Sequence, residues 1–199
     1  DLGVLDSSMK SDFSADTVAG ISAYVGELVA AIQQGQQISE EDLTNLQNIV
    51  TFLNGLDVTG TGIMGYVTIP RIKVKLPVYH GTSDGVLQIA AGHLAGTSLP
   101  VGGATTHAVV SGHTGLPSAR LLTGLDELKK GDTFAFHVLD QTYTYKVDQI
   151  SVVLPSEISK LNIESGADYA TLITCTPYGV NSHRLLVRGH RIPNPKVPD

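Results

Sequence analysis

The chain of 199 residues has one cysteine, no tryptophan and only 16% charged residues, and each scarcity narrows what it can be. A lone cysteine cannot close an internal disulfide, so cysteine usage leaves the redox compartment open while supplying a single candidate thiol nucleophile. Thirteen Lys and Arg against nineteen Asp and Glu, a formal charge of -6, are too few and too scattered for the cationic cluster that phosphate binding demands, which argues against a nucleic-acid partner. No run of about 18 apolar residues occurs, so no transmembrane helix is expected within the chain. Paired-cysteine and HExxH spacings are absent, as are Walker and dinucleotide glycine patterns. No metal site and no cofactor are expected.

What is present is the composition of an ordinary soluble globular domain, 42% hydrophobic, with 21 glycines and 9 prolines that imply many turns. The length is enough for one substantial core and short for two. Val18, Ile21, Val25, Leu28, Val29 and Ile32 recur at helical spacing after Asp16, a natural N-cap, and Gly35 is a natural stop. Ser39 with Asp42 resembles a capping box, and Leu43, Leu46, Val50 and Leu53 follow on one stripe, which predicts a helical hairpin over 16–55. The chain opens at Asp1 and closes on a proline-spaced tail over 193–199 that reads as a linker, so both ends are expected to continue into something longer.

Beyond Gly60 the period changes. Short β-rich segments follow at 66–69, 72–74, 78–80, 107–111, 133–138, 142–153, 169–175 and 184–190, separated by Gly, Pro, Asp or Asn. Eight short strands predict a mainly β fold, a barrel or sandwich. The stretches 84–91 and 119–128 do not alternate and read as short helices or turns.

Cys175 closes the apolar run that starts at Tyr169, and the chain turns through 176–182 and returns as 183–189. Antiparallel pairing of those two strands places the sulfur near Arg184, with Leu186 and Arg188 on the same face by period two. A thiolate is the attacking species and an unperturbed thiol, with a pKa of about 8.5, is only slightly ionised at neutral pH, so a base or cation must assist it. His113 is the preferred partner, standing between glycines in Ser111-Gly-His-Thr-Gly115 directly after an apolar strand. His107 lies on the same side but toward the far rim. His80, His93 and His137 suit structural roles, and His183 is a minor rival to His113. Spacing alone leaves open an inert core cysteine and arginines that serve only in salt bridges.

The segment 171–189, TLITCTPYGVNSHRLLVRG, resembles the active-site strand and turn of the sortases, cysteine transpeptidases of Gram-positive surfaces, and within them class C, the pilin polymerases. Similar motifs recur in order at 62–66, 69–82, 92–94, 98–103 and 111–120. The resemblance implies a closed eight-stranded sortase β-barrel over 60–192. It places the nucleophile on Cys175, the histidine on His113 and the arginine on Arg184, with Thr174, Arg188 and Tyr178 as supporting or substrate-binding residues. The implied reaction cleaves an LPxTG-like sorting signal between Thr and Gly through a thioacyl enzyme and passes the acyl group to a lysine amine of a pilin subunit. Attachment to cell-wall peptide and a non-catalytic surface scaffold are the alternative readings. Class C members commonly carry a lid with an Asp-Pro-aromatic anchor. This sequence lacks that tripeptide, and Asp12 and Phe13, in the arm over 1–15, are the nearest candidates for a lid against the alternative of a disordered arm. The family implies a location at the outer face of a Gram-positive membrane, anchored through segments absent from this chain.

Overall fold

A computed structural model describes residues 15–43, 46, 62–115 and 120–195. Asp12, Phe13 and most of the second expected helix lie outside the described residues. The first helix, α1, spans Ala15–Gln33, and Gln36 N–H then closes on the Ala31 carbonyl around Gly35. The capping box forms as its spacing predicts. Ser39 N–H and Oγ both donate to Asp42 Oδ2, at 3.1 and 2.7 Å, and Asp42 N–H donates back to Ser39 Oγ at 3.1 Å. Tyr24 Oη donates to the other carboxylate oxygen at 2.7 Å, which ties α1 to the start of that second segment. Among the described residues no helix is long and apolar enough to cross a membrane.

Eight strands form a closed barrel: β1 (Ile63–Ile69), β2 (Val74–His80), β3 (Ala91–His93), β4 (Thr106–Ser111), β5 (Thr133–Val138), β6 (Gln141–Val153), β7 (Asp168–Thr176) and β8 (His183–Ile192). Around the barrel they run β1-β2-β3-β4-β7-β8-β6-β5, and β5 pairs with β1 to close it. The pairs β2–β3 and β4–β7 are parallel, the others antiparallel. Alternation sends Val67, Ile69, Ala108, Val110, Phe134, Phe136, Tyr145, Leu172, Leu185 and Val187 into one buried interior. A smaller apolar cluster of Val109, Val153, Ile173 and Leu186 sits on the opposite face of the same strands. That outer face is where the site lies.

The expected separate strands 72–74 and 78–80 are corrected to one strand, β2. The expected strand 72–74 is instead a 3-10 turn over Pro70–Ile72 with Lys73 in the left-handed region at φ 53°, and its N–H reaches the Pro70 carbonyl at 3.1 Å. Proline at the first position fixes φ for a tight reversal, which overrides the β-rich composition of Ile-Lys-Val. The strand starts at Val74 and runs through Pro77, where it pairs only with β1; pairing to β3 begins at Val78. At Pro77 the strand is therefore an edge, where a missing N–H is tolerated. The strand the pattern does not reveal is β3, whose Ala-Gly-His has neither alternation nor β-branched residues.

Candidate active site

Three neighbouring strands, β4, β7 and β8, deliver the candidate residues to one end of the barrel. In the parallel pair, Ser111 lies opposite Ile173, so two residues further on each chain reaches His113 and Cys175. The ladder extends into the loop: Gly112 N–H donates to the Ile173 carbonyl at 3.0 Å, and Thr174 Oγ1, itself buried, donates to the Gly112 carbonyl at 2.8 Å. On the other side, Cys175 is directly opposite Arg184 in the antiparallel β7–β8 pair. The sulfur is thus on the central strand, with an imidazole beyond one neighbour and a guanidinium on the other.

Position by position, the outer face of β7 reads Thr171, Ile173, Cys175 and that of β8 reads Arg188, Leu186, Arg184. Cys175 and Arg184 therefore continue the face of the Ile173–Leu186 cluster. Both are half-buried, as is His113. Arg184 Nη1 donates to the carbonyls of Asn181 and His183 at 3.1 and 3.0 Å, so the turn after Cys175 orients the guanidinium. His183 lies opposite Thr176, one position out of step with Cys175 and so on the other face.

The histidine loop is fastened beyond the strand as well. Leu122 N–H donates to the His113 carbonyl at 3.0 Å, and Gly115 N–H donates to Thr123 Oγ1 at 2.9 Å. Gly115 has φ 73°, a backbone conformation that favours glycine, and a Cβ there would stand 2.0 Å from the ring of the exposed Tyr178, which would have to swing aside. Tyr178, at 72% exposure, thereby lies across the histidine loop.

Two cavities share Cys175. One, of about 400 Å³, is lined by His113, Arg184 and an apolar wall that includes Leu94, Leu154, Ile158 and Leu161. The other, of about 260 Å³, holds Arg120, Asp126, Glu127 and Tyr178 against Thr174 and the sulfur. The first is a groove with a largely apolar wall and the thiol, imidazole and guanidinium along one side.

Cys175, His113 and Arg184 are brought together, with Thr174 and Tyr178 against them. Arg188 is not. Its Nε and Nη2 reach the two oxygens of Asp148, each at 3.1 Å, its Nη1 reaches Glu164 at 3.4 Å, and its guanidinium carbon lies 4.0 Å from the Tyr169 ring centroid. That network occupies the far end of the outer face. His93 and His137 are engaged elsewhere, His93 with the Ser98 carbonyl at 2.8 Å and His137 stacked on Tyr66 with its centroid 4.4 Å away. The segment 154–161 has no periodic pattern that marks it as part of the site, yet its Leu154 and Ile158 are 56% and 68% exposed. The signal the sequence offers is apolar Leu154, Ile158 and Leu161 interspersed with Ser, Glu and Lys in a connection between strands.

Residues 67–192 match the Sortase domain family. The fold is similar to the crystal structure of sortase C1 from Streptococcus suis, with a TM-score of 0.76 and 47% identity over 87% of this chain and 95% of that one. Sortase C1 from Streptococcus agalactiae gives 0.74 and 44% identity over 94% and 96%. Sortase C-1 from Streptococcus pneumoniae gives 0.69 and 53% identity over 72% of each chain. In sequence, the chain is 30% identical over 117 residues to Sortase A of Streptococcus agalactiae serotype III (strain NEM316), a stretch that is 57% of this chain and 47% of that protein. The match thus spans about half the length of that curated relative.

Proposed function

This chain belongs to the sortase family, and we propose that it is a pilus-type cysteine transpeptidase that cleaves an LPxTG-like sorting signal between Thr and Gly and transfers the acyl group to a lysine amine of a pilin subunit. The observation that carries this reading is the register of three strands: Cys175 opposite Arg184, and His113 two residues beyond the β4–β7 ladder. All three line the larger cavity with an apolar wall that suits the leucine and proline of such a signal.

In the first half-reaction the sulfur attacks the threonine carbonyl carbon, a C–S bond forms and the carbonyl π pair moves onto oxygen. Arg184 stabilises that oxyanion or holds the carbonyl that becomes it. Collapse breaks the C–N bond, and His113 protonates the departing glycine amine. In the second half-reaction the incoming lysine amine gives a proton to His113 and attacks the thioester carbon. The C–S bond then breaks with its electron pair returning to sulfur, and an isopeptide bond remains. Thr174 acts by holding the histidine loop through Gly112, and Tyr178 by packing on it at Gly115.

Identities of 44–53% to sortase C structures, against 30% to the Sortase A relative, favour a pilin lysine over a cell-wall peptide as acceptor. The corresponding location is the outer face of a Gram-positive membrane. Incubation with a sorting-signal peptide is expected to give a thioacyl adduct by intact mass that vanishes in Cys175→Ala; no adduct on the unaltered protein under any condition rejects the transpeptidase reading. Supplying a pilin subunit and a cell-wall peptide amine in competition decides the acceptor. If Asp12 and Phe13 act as a lid, Phe13→Ala speeds alkylation of Cys175, and an unchanged rate removes that role.

A further inference from the structure

Among the histidines the reaction does not use, His107 stands on the strand that leads to His113, and it is 1% exposed. It lies at the start of β4, on the outer face that carries Val109 and Ser111 toward His113. Its Nδ1 lies 3.0 Å from the carbonyl oxygen of Asn162 and its Nε2 lies 2.7 Å from Thr171 Oγ1. A carbonyl only accepts, so Nδ1 carries the hydrogen and Nε2 accepts from the threonine hydroxyl. Both ring nitrogens are thereby satisfied in one tautomer, and the ring is pinned between β7 and the connection from β6 to β7.

Asn162 directly follows the 3-10 turn Ser159–Leu161. Leu161 lines the larger cavity at Cys175 and packs on Val109, Val153, Ile173 and Leu186. Glu164 makes further ties to the barrel, from Arg188 Nη1 at 3.4 Å and Tyr169 Oη at 3.3 Å, but it is exposed and these bonds are long. The bond from His107 is the shorter one and its donor is a ring that is itself buried and held at its other nitrogen by Thr171, so it fixes the exposed Asn162 backbone to the barrel more firmly than the long side-chain contacts of Glu164 do. We infer that His107 is a positioning residue for the peptide groove: by holding the Asn162 carbonyl it sets where Leu161 and the 154–161 wall stand relative to Cys175. The imidazole that serves the chemistry and the imidazole that holds the wall then lie toward the two ends of β4, His107 within it and His113 two residues past it. This inference rests on the reading that the groove receives the sorting signal.

The test compares His107→Ala, His107→Gln and the unaltered protein in steady-state cleavage of a sorting-signal peptide, with alkylation of Cys175 by iodoacetamide as the control for the sulfur itself. His107→Ala is expected to raise KM about fivefold or more while kcat and the alkylation rate stay within about twofold. His107→Gln, whose amide can donate to the same carbonyl, is expected to recover most of the loss. An unchanged KM in His107→Ala, a kcat and alkylation rate that fall together, or no recovery with glutamine overturns the inference. Should His107→Ala not fold, Thr171→Val carries the comparison, since it removes the hydroxyl that orients the ring; an unchanged KM there has the same meaning. A readout that needs no substrate separates this inference from the transpeptidase reading. Amide hydrogen exchange over 157–162 is expected to rise about tenfold in the variant while β4 and β7 keep their protection. Equal exchange overturns the hold even if the peptide proves to be a substrate, and raised exchange sustains it even if the peptide is not.

Discussion

The hydroxyl of Thr174 points away from the sulfur beside it and fastens the Gly112 carbonyl, one residue before His113. Thr174→Val keeps the shape and leaves that buried carbonyl short of a donor, at a cost of about 1–2 kcal/mol. The expected outcome is a lower melting temperature together with slower thioacyl formation, and the alkylation rate of Cys175 is the control that should not move. The two outer-face arginines separate in the same way. Removal of an oxyanion donor costs on the order of a hundredfold in kcat, so Arg184→Ala is expected to lose that much, whereas Arg188→Lys should stay within about threefold. Equal losses in peptide cleavage by the two variants would contradict the separation drawn from the Asp148 and Glu164 contacts. His107 also has a signature in pH. Burial lowers its pKa from the ordinary 6.5 and outweighs the bond to the Asn162 carbonyl, which raises it; nearby Arg188 acts with burial, and Glu164 and Asp148 oppose. Below that value the unfolded imidazole takes up a proton that the folded one resists. Its contribution to stability is therefore complete above about pH 6.5 and is lost as pH falls toward the folded value. Burial lowers His93 as well, so melting temperature should fall between pH 7 and 5, and less steeply in His107→Gln; parallel curves for the two proteins would contradict this linkage.

At the scale of elements, most strands were legible because alternation and turn residues report a half-buried surface directly. The antiparallel return of β7 into β8 was legible for the same reason, and the observed Cys175–Arg184 pairing comes from a six-residue turn over 177–182, one residue shorter than the expected 176–182, because Thr176 and His183 form the last pair. The turn at Pro70–Ile72 was misread because composition outweighed the proline. β3 was missed because its place is fixed by partners on both sides, Val78–His80 and Val110–Ser111, and not by its own side chains. The groove wall was illegible for a related reason: which face a connection covers depends on tertiary ties such as His107 to Asn162, which leave no periodic trace. The helix α1 meets the barrel where Gly26 passes Thr105, and a Cβ at Gly26 would stand 2.0 Å from that carbonyl oxygen. Backbone cannot yield as a flexible side chain does, so Gly26→Ala should displace α1 from β4 despite alanine's better helix propensity. Faster hydrogen exchange in α1 and a lower melting temperature are expected; a stabilised protein would show that the contact is dispensable.

At the scale of the molecule, closure decides when the site exists. The pairing of β4 with β7 joins segments separated by the whole of β5 and β6, and such long-range parallel contacts form slowly, on the order of milliseconds to seconds in two-state domains. On refolding from denaturant, peptide cleavage should therefore appear with the last phase of barrel formation and not with the first gain of far-UV circular dichroism. Cleavage that tracks the earliest signal would mean the three residues meet before the barrel does. A parallel pair also frees the site from the length of what lies between its members. His113 and Cys175 leave their strands at the same edge because the ladder aligns them, whatever the connection contains. The turn at Leu139–Asp140, which only returns β5 into β6, is accordingly a place where added residues change the contour of the molecule and leave the meeting of imidazole and sulfur as it is.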